Sequence, residues 1–228
     1  MRSRNSYRVS LTRQPFLRAL GFAGLLAATF AAAQPPPGAP RADSPIFVPA
    51  GSSWVEAVRE SGSLGSVNEQ HVTIARGEQT WQGRKVHAYE KKGVTTLREF
   101  PTWNVVARVR GTAPFESFEP PSHGWRWPIW VGKSWSEDFR FTSINAYQRE
   151  QTFDVRGWWK VEAYEDIKVP AGTFKVFRMR YLDPTNEELT WWSPDLGIVV
   201  KHWRRRLVNS PWGPGMRETE LVSFEIKK

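Results

Sequence analysis

Residues 151–164, Gln151-Thr-Phe-Asp-Val-Arg-Gly-Trp-Trp-Lys-Val-Glu-Ala-Tyr164, alternate between apolar and polar side chains. Phe153, Val155 and Trp159 fall on one face, whereas Asp154 falls on the other. A period of two residues is typical of a β-strand with one buried face. The stretch therefore predicts a strand, and it decides which class of fold the rest of the chain is expected to have.

The residues that follow predict a hairpin. Pro170 and Gly172 separate this strand from residues 173–181, in which aromatic and branched side chains recur. Proline sets the backbone angle of a first turn position, and glycine accepts the left-handed one. Pro194 and Gly197 mark a similar turn. Further strands are predicted at 54–60, 67–74, 72–79, 84–90, 95–100, 103–110, 135–142, 191–192, 198–205 and 218–226.

No long stretch has the periodicity of a helix, so we predict an all-β, mainly antiparallel domain with little helix. A membrane-spanning barrel needs strands with one uniformly apolar, lipid-facing side. Here the outward positions carry charge, for example at Arg156 and Lys160. The mature chain is therefore expected not to span a membrane.

The N-terminal residues predict export. Residues 1–33 combine five arginines, no acid, a short apolar run and small residues before Gln34. This pattern is typical of a signal peptide, with cleavage expected after Ala33 and a periplasmic or secreted location. Residues 34–50 are rich in proline and predict a flexible linker, which leaves 51–228 as a single β-rich domain.

Charge and cysteine content narrow the partners. The chain has 32 basic and 23 acidic residues, but five of the arginines lie in residues 1–33, so the remainder has a net charge of only +4. This charge is too small to indicate a nucleic-acid partner, so none is expected. The chain has no cysteine, so an exported domain of this kind depends on its core rather than on disulfides.

Residues 125–135, WRWPIWVGKSW, end in a Gly-Lys-Ser sequence and contain four of the 13 tryptophans. A phosphate-binding loop needs a glycine five residues before its Gly-Lys, and Trp127 stands there instead. A nucleotide site is therefore excluded. We interpret the tryptophans first as packed structure and second as contacts for a ligand.

We find no set of catalytic residues, no metal site and no sign of a cofactor, so the chain is expected not to be an enzyme. The four histidines lie far apart in sequence, and loop residue His123 is the best functional candidate among them. Three pairs of adjacent acids are interpreted as solvated strand ends, because neighbours on a strand point to opposite faces. These pairs are Glu137-Asp138, Glu165-Asp166 and Glu187-Glu188.

Residues 201–206, KHWRRR, are the strongest charge feature. As a strand they would present charge on both faces, which favours an edge strand protected against aggregation. The functional alternative is contact with an anionic envelope partner, a lipid head group or an acidic glycan. That contact would use Lys201, Trp203, Arg204, Arg205 and Arg206.

The chain also resembles a group of exported bacterial proteins of unassigned function. The resemblance rests on Trp127–Trp135, Val169–Phe174 and Trp191–Lys201, and it spans residues 52–226. Members of that group are similar in fold to periplasmic lipoprotein-localisation factors. The resemblance implies a strongly curved sheet or half-barrel, built from consecutive hairpins, that shields acyl chains.

Together these features predict an exported, non-catalytic protein that binds a lipid or lipoprotein on a concave sheet face. An envelope glycan-binding or scaffold module that uses exposed tryptophan and arginine is the alternative, and an enzyme without a recognisable motif comes third. The expected lining of the concave face is Trp135, Phe153, Val155, Trp159, Phe177 and Met179.

Overall fold

The computed structural model describes residues 35–122, 124–145 and 148–228. The predicted signal peptide and its expected cleavage site lie outside these ranges. The described residues form strands joined by turns and loops, with no helix among them. The prediction of an all-β, mainly antiparallel domain is confirmed for these residues.

Fourteen strands follow one another along the described chain. Their bounds are β1 (Arg41–Ala42), β2 (Ser53–Gly62), β3 (Val67–Trp81), β4 (Arg84–Lys91), β5 (Val94–Glu99), β6 (Val105–Arg110), β7 (Ala113–Ser122), β8 (Ile129–Trp130), β9 (Ser134–Ile144), β10 (Glu150–Val169), β11 (Gly172–Leu182), β12 (Asn186–Ser193), β13 (Ile198–Arg206) and β14 (Gly215–Glu225).

Twelve of the strands form one closed antiparallel barrel. The order around the barrel is β10, β11, β12, β13, β14, β2, β3, β4, β5, β6, β7 and β9, and β9 pairs with β10 to complete the ring. Strands β1 and β8 form a separate two-stranded pair. The curved sheet that was expected as a half-barrel therefore continues until it closes on itself.

Closure changes the interpretation of the basic run at residues 201–206. These residues lie in β13, which pairs with β12 on one side and with β14 on the other. The prediction of a protected edge strand is therefore wrong. Edge position depends on pairing with distant strands, which the charge pattern of one segment does not encode.

The hairpins form as predicted. Strands β10 and β11 pair around Pro170 and Ala171, and Gly172 has φ of +137°, which only glycine adopts without strain. Pro194 and Gly197 lie in the turn between β12 and β13. At Gly197 a Cβ would stand 2.8 Å from the Ile46 side chain, so this turn needs glycine for space as well as for conformation.

Strand β7 was not predicted. Its residues include Pro114, Pro120 and Pro121, which lack the backbone N–H that a regular ladder needs. The structure accommodates them with two irregularities in the β6–β7 register, between Val105 and Ala107 and between Arg108 and Val109. A proline-rich strand of this kind is indistinguishable from a loop in the sequence.

Part of the predicted linker packs on the barrel. Within residues 34–50, Val48 is fully buried and Phe47 stacks on Phe100 with ring centroids 3.9 Å apart. Strand β1 also falls in this segment and pairs with β8. Isolated apolar residues between the prolines therefore help to close one end of the barrel, so the packed domain begins before residue 51.

Candidate functional site

The connecting segments divide between two ends of the barrel, because neighbouring strands run antiparallel. The end that we call the plug end carries the connections at 82–83, 100–104, 124–133, 170–171 and 194–197. The end that we call the mouth carries the connections at 63–66, 92–93, 111–112, 183–185 and 207–214, together with the β9–β10 connection, of which residues 145, 148 and 149 are described.

Tryptophans fill the plug end. Ring centroids lie 4.9 Å apart for Trp103 and Trp125, 5.8 Å for Trp125 and Trp192, and 5.3 Å for Trp127 and Trp192. Three of these rings are at most 5% exposed, and Trp127 packs against the same cluster. We call Trp103, Trp125, Trp127 and Trp192 the aromatic plug.

The Gly-Lys-Ser sequence forms a turn beside this plug. The Lys133 ammonium group donates to the carbonyl oxygen of Pro128 at 2.6 Å and lies 4.7 Å from the centre of the Trp130 ring. The Gly132 N–H donates to the Val161 carbonyl at 2.8 Å. The lysine is therefore engaged with backbone and aromatic partners, and the interpretation of this stretch as packed structure is confirmed.

The six predicted lining residues share one inner face of β9, β10 and β11, but they differ in burial. Four of them belong to the packed core cluster around the plug, namely Trp135, Trp159, Phe177 and Met179. Phe153 and Val155 lie nearer the mouth and are only half-buried. The structure therefore separates a filled part of this face from a partly open part.

Neighbouring aromatic residues extend the partly open part. Phe139 and Phe141 are half-buried on the same face of β9, where they pair with Val155 and Phe153. The Phe118 ring lies 5.3 Å from that of Phe141. We call Phe139, Phe141, Phe153 and Val155 the apolar wall. Phe139 and Phe141 alternate in step with Trp135 along β9, so the sequence pattern could have identified them as inward-facing.

Charged side chains face inward further round the barrel. Glu188, Arg204, Arg217 and Glu60 are successive register partners on β12, β13, β14 and β2. The Arg204 Nε lies 3.3 Å from a Glu188 oxygen, His202 Nε2 lies 3.0 Å from the other oxygen, and Arg217 contacts Glu60. We call Glu60, Glu188, Arg204 and Arg217 the polar stripe.

The candidate contacts for an anionic partner divide between the two faces of β13. Lys201, Trp203 and Arg205 alternate with the inward residues, so they face outward. Lys201 Nζ lies 2.8 Å from a Glu220 oxygen and Arg205 lies 2.5 Å from a Glu187 oxygen. Arg204 and Arg206 face inward, towards the mouth.

Arg206 differs from the other inward arginines. Its closest hydrogen-bond acceptors are the carbonyl and hydroxyl oxygens of Ser63, at 3.4 and 3.5 Å. Its buried Nε has no hydrogen-bond partner among the described residues. Burial, and then the charges of Arg204 and Arg217, lower the pKa of its guanidinium group.

Glu137 is a buried carboxylate between the plug and the apolar wall. Burial raises its pKa, although Ser122 Oγ donates to it at 3.3 Å and the Gly124 N–H also favours its charged form. The Trp159 indole N–H faces the same carboxylate and favours the charge. That N–H nevertheless lacks a partner with full hydrogen-bond geometry.

Tyr181 packs directly over Gly157, beside Glu137. A Cβ at Gly157 would stand 2.2 Å from the Tyr181 Cε2 and 2.4 Å from its hydroxyl oxygen. Burial raises the pKa of the Tyr181 phenol far above its ordinary value, and nearby carboxylates add to that effect. The glycine therefore makes room for a phenol next to a buried acid.

The interpretation of the adjacent acids as solvated strand ends is wrong for two of them. Glu137 and Glu188 are buried and face inward, whereas their neighbours Asp138 and Glu187 face outward. The expectation that adjacent acids point to opposite faces is confirmed. The error lay in treating both acids of each pair as solvated, because one member of an adjacent pair on a strand must face the interior.

The histidines give no metal site within the described part of the chain, where no group of three metal-ligating side chains occurs. His87 is buried against Tyr89 with ring centroids 4.7 Å apart, and burial lowers its pKa. His202 lies next to the polar stripe, where it contacts Glu188. The candidate His123 lies outside the described residues.

The described residues contain no helix of the length and hydropathy that crossing a membrane requires. No family model matches the chain. No curated protein is significantly similar to it. The resemblance inferred from the sequence motifs therefore stays a prediction.

Solved structures similar to this chain include the following three. The hypothetical lipoprotein YmcC from Escherichia coli K12 has a TM-score of 0.43 at 10% identity, over 80% of this chain and 90% of that one. A protein from Bacteroides fragilis, named as exported and YmcC-like in fold, has a TM-score of 0.38 at 10% identity, over 81% and 100%. A protein from Parabacteroides distasonis, named as a lipoprotein on a provisional basis, has a TM-score of 0.36 at 13% identity, over 81% and 100%.

The contact between Gly157 and Tyr181 predicts a strong energetic coupling. Gly157→Ala should destabilise the protein by about 1–3 kcal/mol, because its methyl group overlaps the phenol ring. In a Tyr181→Leu background the same change should cost at least about 1 kcal/mol less, since the ring is gone. Denaturant unfolding of the four proteins measures the coupling. Strictly additive costs would contradict the packing described.

The raised pKa of Glu137 predicts how stability changes with pH. The folded protein keeps this proton to a higher pH than the unfolded chain, whose glutamate titrates near 4.5. Stability linked to Glu137 is therefore complete at low pH and falls as pH rises above that value. Glu137→Gln, which cannot ionise, should gain stability relative to the original protein from pH 4 to pH 7.

The matched control for this titration is Asp138→Asn, at the adjacent outward position. Between pH 4 and pH 7, this variant should not gain stability relative to the original protein. Denaturant unfolding at several pH values gives both curves. A constant difference for Glu137→Gln across pH 4–7 would show that burial does not perturb this carboxyl group.

Proposed function

We propose that this protein is exported to the periplasm or secreted, and that it binds a lipid or another acyl-chain ligand without acting on it chemically. The ligand occupies the mouth half of the barrel. The observation that carries this proposal is the apolar wall, an inward-facing aromatic surface that the protein's own packing leaves half-buried.

The apolar wall suits an acyl chain because its four residues form a contiguous apolar surface on the inner side of a barrel, and ligand sites are typically concave surfaces lined by apolar and aromatic side chains. Trp135 and Trp159, on the same two strands, are at most 7% exposed. Phe141 and Phe153, nearer the mouth, remain partly accessible although they face the interior. A bound chain would complete the burial that the plug residues already have.

The aromatic plug limits how deep such a ligand reaches. Trp192 and Phe177 are 1% exposed, and their ring centroids lie 6.4 Å apart. This packing leaves the mouth as the route of entry. A chain enters with its apolar end towards the plug and its polar end towards the loops.

The polar stripe supports an amphipathic ligand rather than a purely apolar one. Glu188 and Glu60 have side chains only 11% and 9% exposed, and each is paired with an arginine of the stripe. Buried ion pairs gain little stability over apolar packing, so their presence in a barrel interior favours a role in recognition. A lipid head group would be a suitable partner for the polar stripe.

The loop at residues 207–214 borders the entrance. The Trp212 ring meets that of Phe153 at 5.3 Å, across the mouth, while Val208 is 88% exposed. A groove of about 860 Å³ runs along the same loop, between Arg206 and Met216. Movement of this loop would uncover Phe153, so it is the element that controls access in our proposal.

An envelope glycan is the alternative ligand, bound on the outward face of β13. Trp203 lies there with the Arg205 guanidinium 5.7 Å from its ring centre. The cations of that face are already paired with carboxylates, Lys201 with Glu220 and Arg205 with Glu187. This pairing leaves less charge for an acidic glycan than the sequence suggested, so we favour the interior.

The apolar wall predicts the effect of one substitution on lipid binding. Val155→Asp should weaken the binding of a fluorescent acyl probe at least about tenfold, because it places a charge against the chain. Val155→Trp keeps the wall apolar but fills the space, and it should also weaken binding. Probe titration followed by fluorescence measures both, and thermal melting verifies that each variant is folded.

The control is Thr152→Asp, which adds the same charge to the outward face of the same strand. Its probe affinity should stay within about twofold of the original protein. The proposal fails if the original protein takes up no acyl probe in a saturable manner. It also fails if Thr152→Asp and Val155→Asp weaken binding equally.

A further inference from the structure

Three arginines lie together on the inner face at the mouth. Arg204 and Arg217 are register partners, and Arg206 follows two residues after Arg204 on the same strand. Arg206 is itself paired with Gly215 and Asn186, which carry no charge. The strand register therefore concentrates positive charge at one place on the interior wall.

Carboxylates compensate two of these three charges. Arg204 has Glu188 at 3.3 Å and the Asn186 side-chain oxygen at 2.8 Å, and Arg217 has Glu60. No carboxylate of the described residues lies within 4.0 Å of the Arg206 guanidinium group; Glu60 acts on it only from a distance. One cation of the cluster is therefore left without a counter-ion.

The geometry of Arg206 is that of an incomplete binding group. Its Nε is buried and donates to no acceptor among the described residues, while its Nη1 lies 3.4 and 3.5 Å from the carbonyl and hydroxyl oxygens of Ser63. A buried N–H of a charged group that makes no hydrogen bond lowers the stability of the folded protein. A guanidinium fork satisfies two donors at once when it meets a phosphate or a carboxylate.

Trp212 holds this guanidinium group at the mouth. The Arg206 Cζ lies 5.5 Å from the centre of the Trp212 ring, and the same ring packs against Phe153 of the apolar wall. The arginine and the wall therefore share a neighbour. A ligand that lies along the apolar wall would bring its polar end close to Arg206.

We propose that Arg206 binds the anionic head group, a phosphate or a carboxylate, of the ligand that occupies the mouth. Arg204 and Arg217 add to the positive potential but keep their own carboxylate partners. This inference rests on the proposed function, which supplies the apolar part of the ligand. The ligand is then an anionic amphiphile with one or more acyl chains.

The test compares three amphiphiles with the same chain length: a fatty acid, a lysophosphatidic acid and an uncharged monoacylglycerol. Displacement of a fluorescent acyl probe gives the affinity of each. We expect at least one of the two anionic amphiphiles to bind at least about tenfold more tightly than the monoacylglycerol. The tighter of the two identifies the head group as carboxylate or phosphate.

Arg206→Gln should abolish this preference while leaving the affinity for the monoacylglycerol unchanged. Arg205→Gln is the matched control, because Arg205 is the adjacent arginine on the outward face and is paired with Glu187. It should keep the full preference. Arg206→Lys, which keeps the charge but not the fork, should keep a reduced preference, and it serves if Arg206→Gln does not fold.

The outcomes separate this inference from the proposed function. If no amphiphile displaces the probe, the proposed function fails and this inference fails with it. If the monoacylglycerol binds as tightly as the anionic amphiphiles, only the role of Arg206 is overturned. The same conclusion follows if the folded Arg206→Gln variant retains the preference.

Discussion

The pairing of β14 with β2 closes the barrel, and two glycines allow this pairing to continue to the mouth. Gly62 and Gly215 are register partners where β14 meets β2. A Cβ on Gly62 would stand 2.6 Å from the Pro214 carbonyl oxygen, and one on Gly215 would stand 2.9 Å from that of Ser61. This seam joins β14, the last barrel strand along the chain, to β2, the first one. The apolar wall, the aromatic plug and the mouth depend on it, because each is a feature of the closed barrel.

Closure gives the interior two unlike surfaces. Phe141 and the other residues of the apolar wall continue the core towards the mouth, whereas Glu188 and Arg204 place charges inside a β-barrel. Burying charges is costly unless they are paired, and removing one partner leaves the other uncompensated. A core that served stability alone would gain little from this arrangement. An interior that recognises an amphipathic molecule needs both surfaces.

Local patterns in the sequence predicted the strands and hairpins well, because the alternation around Trp159 and the turn at Gly172 are short-range features. Closure could not be predicted, since it depends on the pairing of β14 with β2, about 160 residues apart. The same limit explains the wrong edge prediction for Arg204 and Arg205. The buried acid Glu137 follows the alternation of Trp135, but it was interpreted as solvated because its buried partners Ser122 and Gly124 come from a distant part of the chain.

In our proposal, the protein is exported and the mouth half of its barrel holds an amphiphile. Native mass spectrometry of the protein isolated from its own cells, under conditions that preserve bound lipid, tests this most directly. We expect an adduct that collisional activation releases, and whose fragments identify an acyl chain with an anionic group. A ligand-free spectrum, together with no uptake of added anionic amphiphile, would contradict it.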